Sequence, residues 1–213
     1  DAESVVYKRS TSHPAYAAQL RSGRRLATLV FVVAACAFPG SKQTVGHAAS
    51  LGDPCFVTTV NGDVQGLNLG ACCAFLGIPY SASTGGNNRW KPPQAVAPWA
   101  PSVLNATTPP PVCPQAAVGN EDCLKMNIWV RNPAPALRAP VIVWLHGGAF
   151  AATSANYPQH NGRRLAEETG VIVVAPNYRL GPFGFLAHSA LTSEDPAHPT
   201  SGNYGLEDQR AGL

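Results

Sequence analysis

An α/β architecture, with an antiparallel hairpin leading into a mostly parallel sheet, is the fold this sequence predicts. Three observations carry it. Val141–Leu145 is an unbroken apolar run, the pattern of a strand buried on both faces, and it ends in His146-Gly147-Gly148-Ala149. Val171–Ala175 is a second apolar run, and a helical stretch separates the two, so strand, helix and strand imply a right-handed parallel crossover. Upstream, Phe56–Val60 and Val64–Leu69 flank Asn61-Gly62-Asp63, a turn signal between two extended segments.

Taken in chain order, residues 1–50 read as a leader and linker, with a signal-peptide-like segment at about 21–38. Arg21, Arg24 and Arg25 precede the thirteen-residue apolar run Leu26–Phe38, which is short for a bilayer span and suits a secretory leader. Small residues allow cleavage after Ala37 or near Ala48. A buried helix, a lipoprotein box at Val33–Cys36 and an uncleaved membrane anchor are the competing readings.

Residues 51–213 read as one domain, incomplete because it stops before any Gly-x-Ser-x-Gly sequence. After the hairpin comes an extended piece, Phe75–Tyr80. Residues 81–118, with Pro92-Pro93 and Pro109–Pro111, read as a surface traverse without regular structure. It carries the glycosylation sequon Asn105-Ala106-Thr107. Leu124–Val130 reads as a strand. Asn161 is positioned to cap a helix through Thr169, and Gly170 to close it in the left-handed conformation. Tyr204–Leu213 begins a further helix.

Charge and cysteine usage narrow the function. The chain carries +3 overall, but residues 1–50 hold six Lys/Arg against two acids and residues 51–213 hold nine against ten. The folded body is therefore near neutral, with no basic stripe interleaved with aromatics, which argues against nucleic acid as a partner. Six cysteines fit an exported protein. Cys36 leaves with a leader cleaved after Ala37, so Cys55, Cys72, Cys73, Cys113 and Cys123 form an odd set, with one thiol free or paired outside this chain. No Cys/His set has zinc spacing; no metal and no cofactor are expected.

The glycines after Val141–Leu145 let a loop turn sharply and bring backbone N–H groups close to a ligand. A buried strand followed by such glycines is the form of the oxyanion loop of lipases and esterases, where N–H donors stabilise the oxygen charged during acyl transfer. Six further stretches join it: Phe75–Tyr80, Arg89-Trp-Lys-Pro-Pro93, Cys113-Pro-Gln115, Glu121–Trp129, Asn177–Leu186 and Gly202–Arg210. In this order they resemble type B carboxylesterases of the cholinesterase-like group, from about residue 54 onward.

That resemblance implies an α/β-hydrolase that cleaves small-molecule carboxylic esters with a Ser-His-Glu/Asp triad. It implies that the nucleophile follows the helix beginning at Tyr204, so the chain holds the oxyanion loop and none of the triad, and is inactive as it stands. Gly148 and Ala149 are the implied oxyanion donors, Gly147 serves loop geometry, and His146 shapes the loop without acting as a base. Ser154, Ser189 and Ser201 lack elbow glycines and read as surface or turn hydroxyls. Cys113 and Cys123 match the family's first disulfide. Arg89 with Glu121, and Arg179 with Asp208, match pairs that form buried salt bridges. Trp90, Trp99, Trp129 and Trp144 read as packing aromatics.

Choline esterases of the group bind quaternary ammonium on a tryptophan in the first disulfide loop. Pro114–Asp122 is short and has no aromatic residue, which favours a general or lipid-type carboxylesterase. The competing classes are a non-catalytic adhesion or binding module with the same fold, and an inactive incomplete gene product. Nothing in the sequence indicates an oligomeric state.

Overall fold

The computed structural model describes residues 53–134 and 138–213. The leader, its apolar segment and Cys36 lie outside the described residues. Seven strands form one mixed sheet: β1 (Phe56–Thr59), β2 (Gly62–Asn68), β3 (Cys72–Pro79), β4 (Val103–Ala106), β5 (Lys125–Arg131), β6 (Val141–Val143) and β7 (Ile172–Pro176). Their order is β1-β2-β3-β5-β7-β6, with β4 added alongside β2.

The hairpin forms at Asn61-Gly62, where Gly62 has φ +130° and its missing side chain makes room for the Trp99 ring. Val60 lies in the turn rather than in the strand and is exposed. Antiparallel pairing then continues through β2–β3, β3–β5 and β5–β7. The parallel character expected of the sheet is confined to the β6–β7 and β2–β4 pairs. The cause is connectivity: only a crossover connection returns a strand in the same direction, and here one helix, α1 (Arg163–Thr169), makes the β6-to-β7 return. Asn161 Oδ1 accepts the Arg163 N–H at 2.9 Å, and Gly170 closes the helix at φ +75° with its N–H on the Ala166 carbonyl.

Two findings depart from the sequence reading. The Pro-rich traverse contains β4, which pairs residue by residue with β2 from Asp63–Val103 to Gly66–Ala106. Four residues are too few for periodicity to register; the pairing edge of β2 supplies the order. Asn105 is exposed on this strand. The second departure is Val141–Leu145: only Val141–Val143 is strand, and Val141 (47%), Ile142 (40%), Trp144 (47%) and Leu145 (38%) are exposed. Among the described strands β6 has one partner, so its apolar residues are covered on too few sides to be buried.

Two apolar layers pack on the sheet. Cys55, Val64, Cys73, Phe75, Met126, Ile128 and Val174 form one; Cys72, Ala74, Trp129, Ala166, Val173 and Ala175 form the other. Successive strand residues face opposite sides, and this alternation resolves the odd cysteine. Cys73 meets Cys55 in a disulfide with Cα atoms 5.3 Å apart, while Cys72 faces the other layer as a buried thiol. Burial pushes the Cys72 thiol up to about 11, which makes it a poor nucleophile. Cys113 and Cys123 form the second disulfide. Three short helices, α2 (Gly181–Phe185), α3 (Ser189–Glu194) and α4 (Tyr204–Ala211), complete the described chain.

Candidate active-site loop

Beyond β6 the chain turns through three consecutive left-handed residues, Gly148 (φ +110°), Ala149 (φ +52°) and Phe150 (φ +58°). Successive residues of this kind cannot continue a strand, and the chain turns sharply here. The Gly148 carbonyl accepts from Ala151 and Ala152 at 2.9 and 3.1 Å. The Gly148 and Ala149 N–H groups have no protein acceptor among the described residues. A side chain at 148 is barred on two counts: its φ, and a Cβ that would lie 2.1 Å from the Ala152 carbonyl oxygen. At Gly147 a Cβ would meet nothing within 4 Å, so the steric demand for glycine falls on Gly148.

The loop is held by the chain that follows β7, where every residue from Ile172 to Leu180 is buried. The Tyr178 hydroxyl donates to the His146 carbonyl, and the His146 ring stacks on Tyr178 at 4.3 Å between centroids. Asn177 Oδ1 accepts the Ala155 N–H at 2.8 Å, while its amide donates to the Pro111 carbonyl at 2.9 Å. Gly181 N–H donates to the Phe150 carbonyl at 2.7 Å. The loop is therefore pinned at its start, middle and end by one buried segment.

Thr153 closes the loop on itself. Its φ of +76° is strained for a β-branched residue. Its hydroxyl donates to the Gly147 carbonyl at 2.5 Å and lies 2.9 Å from His146 Nδ1. With that hydroxyl proton committed to Gly147, the remaining arrangement places the imidazole hydrogen on Nδ1, shared between the threonine oxygen and the Gly147 carbonyl 3.0 Å away. Burial lowers the His146 pKa, opposed by its contact with the Gly147 carbonyl and reinforced by His160. Such a ring is neutral at pH 7 and shapes the loop.

The three serines closest to the motifs sit in local contacts or on the surface. Ser154 Oγ accepts the Asn156 N–H, Ser201 Oγ is engaged with the Thr192 hydroxyl and with the His188 backbone N–H and carbonyl, and Ser189 opens α3 on the surface. Among the described residues no imidazole nitrogen is hydrogen-bonded to any of their hydroxyls.

Arg179 and Asp208 form a bidentate pair at 2.7 and 2.8 Å with side chains 2% and 0% exposed, and Arg179 also reaches the Lys91 carbonyl. The pair ties the segment after β7 to α4 and to the Pro-rich traverse. Arg89 and Glu121 are paired at 2.5 and 2.7 Å, but with Arg89 41% and Glu121 21% exposed. This corrects the buried pair implied by the resemblance: Arg89 lies over Trp90 and Phe183 at the surface, where solvent screens its charge. The tryptophans also divide. Trp129 is core and Trp99 is half-buried, whereas Trp90 reaches the Pro182 carbonyl from the surface and Trp144 is exposed beside His160.

Sequence reasoning gave no role to Tyr178, Thr153 or Gln115. Gln115, in the Cys113–Cys123 loop, receives the Thr153 N–H on Oε1 at 2.8 Å and donates from Nε2 to the Thr153 carbonyl at 2.9 Å. No spacing links positions 38 residues apart; the only trace in the sequence is the motif Cys113-Pro-Gln115 itself.

The hairpin, the crossover and the glycine turn together define part of an α/β-hydrolase sheet. Structural comparison agrees: a thermophilic PNB esterase superposes with a TM-score of 0.66 at 39% identity, over 73% of this chain and 33% of the esterase. The Carboxylesterase family model matches residues 53–213, and the chain belongs to that family. Fumonisin B1 esterase of Sphingopyxis macrogoltabida is 39% identical over 191 residues, 85% of this chain and 33% of its own length. Acetylcholinesterase of Bungarus fasciatus is 38% identical over 179 residues, 74% of this chain and 28% of its own. The chain thus spans about a third of the length of its relatives.

Proposed function

We propose that this chain supplies the oxyanion-stabilising part of a serine carboxylesterase whose nucleophile, acid and histidine lie outside residues 1–213. The observation that carries this reading is the pair of N–H groups at Gly148 and Ala149, free of protein acceptors on consecutive left-handed residues. In acyl transfer a tetrahedral intermediate places negative charge on the former carbonyl oxygen. Preorganised N–H donors stabilise that charge more than they stabilise the ground-state carbonyl. Each contributes on the order of 3–4 kcal/mol in an intact enzyme. Donors alone do nothing to an ester until a nucleophile attacks, so the 213-residue chain is inert by itself.

The substrate is a small-molecule carboxylic ester of the general or lipid type rather than a choline ester, supported by the short Pro114–Asp122 loop without an aromatic residue. Secretion is supported by the basic flank and apolar run of residues 21–38, together with the two disulfides. An uncleaved leader would instead anchor the protein to a membrane. In a eukaryotic source the exposed Asn105 carries glycan.

The decisive assay compares hydrolysis of a short-chain chromogenic ester by the 213-residue chain and by a version extended through a triad. The extended protein turns over and the chain alone does not. Serine-dependent turnover by the chain alone contradicts its inactivity. An inert extended protein with an intact triad contradicts the esterase reading and favours a binding or adhesion module. N-terminal sequencing of secreted material checks leader removal, and a glycosidase mass shift checks Asn105.

A further inference from the structure

We infer that Gln115 is a positioning residue for the Gly148–Ala149 donors, coupling the Cys113–Cys123 disulfide loop to the candidate oxyanion loop. This rests on the esterase reading for its kinetic consequence but not for its structural one. Thr153 occupies a conformation that a β-branched residue rarely adopts (φ +76°). Something must compensate for that strain, and Gln115 satisfies both backbone groups of this one residue, the N–H at 2.8 Å and the carbonyl at 2.9 Å. The same amide nitrogen also donates to the Cys113 carbonyl at 3.2 Å.

Gln115 itself has little freedom. Its backbone N–H and carbonyl pair reciprocally with Val118 at 2.9 and 3.0 Å, and the Cys113–Cys123 bridge closes the segment two residues away. Thr153 in turn fixes the glycines, because its hydroxyl holds the Gly147 carbonyl and its own chain follows directly from Ala152, whose N–H is bonded to Gly148. The chain of contacts runs from disulfide to Gln115, to Thr153, to Gly147 and Gly148. Releasing Thr153 lets the peptide units of the loop rotate, and misplacing catalytic donors by about 1 Å reduces rate by roughly a hundredfold. The donors act on charge that develops only in the transition state, so the effect falls on kcat rather than KM.

The test is Gln115→Met, which keeps the side-chain length and removes both hydrogen bonds to Thr153 together with the one to the Cys113 carbonyl. Amide hydrogen exchange is measured on the 213-residue chain and kinetics on the triad-extended protein. Thr153 N–H exchange is expected to rise at least about tenfold while β5 and β7 amides are unchanged. In the extended protein kcat falls by about tenfold or more with KM within about threefold. Unchanged Thr153 exchange with intact strands overturns the proposal, as does a normal kcat. If Gln115→Met loses strand protection, Gln115→Glu decides in its place. It keeps the acceptor for Thr153 N–H and loses the donor to the Thr153 carbonyl, so it must retain Thr153 protection while lowering kcat; full activity overturns the inference. An extended protein that is inert with wild-type Gln115 defeats the esterase reading, and the exchange measurement then still decides whether Gln115 holds the loop.

Discussion

Strands β6 and β7 are neighbours, parallel, and of nearly the same composition, yet they live in different environments. Ile142 of β6 pairs beside Val173 of β7 and is 40% exposed, whereas Ile172 at the start of β7 is 5% exposed. β7 has a partner on each edge and an apolar layer on each face; β6 has one partner among the described strands. Burial therefore follows from the number of neighbours, not from the apolarity of the run. The division continues past the strand ends. After β7 the chain is a buried scaffold of Asn177, Tyr178 and Arg179; after β6 it is an exposed loop held by that scaffold.

This contrast can be broken most severely at Arg179. Arg179→Met leaves the Asp208 carboxylate buried without its partner and is expected to destabilise by about 3–5 kcal/mol. Denaturant midpoints measure it, and a loss below 1 kcal/mol would mean that solvent reaches the pair. Arg89→Met removes a pair of the same type at the surface, and its midpoint should stay within experimental scatter because solvent already screens that charge. The two substitutions together separate ion pairing from burial.

Ile172→Ala against Ile142→Ala sharpens the comparison of the strands themselves. The first opens a cavity and costs about 2–5 kcal/mol; the second removes atoms already half in water and costs about 1 kcal/mol or less. Equal losses would show that β6 is covered in solution. Whatever covers β6 raises the Ile142 cost towards that of Ile172.

At the loop, Tyr178→Phe leaves the buried His146 carbonyl without its donor, at about 1–3 kcal/mol. The cost should be read as faster exchange over residues 146–153 rather than as loss of the sheet. Gly148→Ala must shift the Ala152 carbonyl and adopt a strained φ, at about 1–3 kcal/mol, and in a triad-extended enzyme it lowers kcat. Gly147→Ala meets open space and is the control expected to fold normally.

The smallest effect is electrostatic. Burial holds the His146 pKa below its ordinary value of about 6.5, so the unfolded chain takes up the proton first. The stability this ring contributes is full above about pH 6.5 and declines as pH falls from there towards the folded pKa. The His146 Cε1 resonance should titrate below pH 6.5; a midpoint at or above that value contradicts a buried neutral ring.

Much of the architecture is legible in the chain because it is local. Asn61-Gly62 turns the hairpin, Gly170 stops α1, apolar runs mark β5 and β7, and His146–Ala149 marks the loop. Ordered motifs disclose the family because they recur together, not because any one of them is specific. Periodicity and turn chemistry act over a few residues, and a sequence displays them directly.

Tertiary structure decided the rest. Sheet register selects Cys73 over Cys72 as the partner of Cys55, since adjacent strand residues face opposite layers. Packing decides that Arg179–Asp208 is dry and Arg89–Glu121 wet, although each pair joins an arginine to a carboxylate. Only folding brings Gln115 to Thr153 across 38 positions. A residue's type and near neighbours set what it can do, but its dielectric surroundings and distant partners depend on how many segments the fold gathers around it.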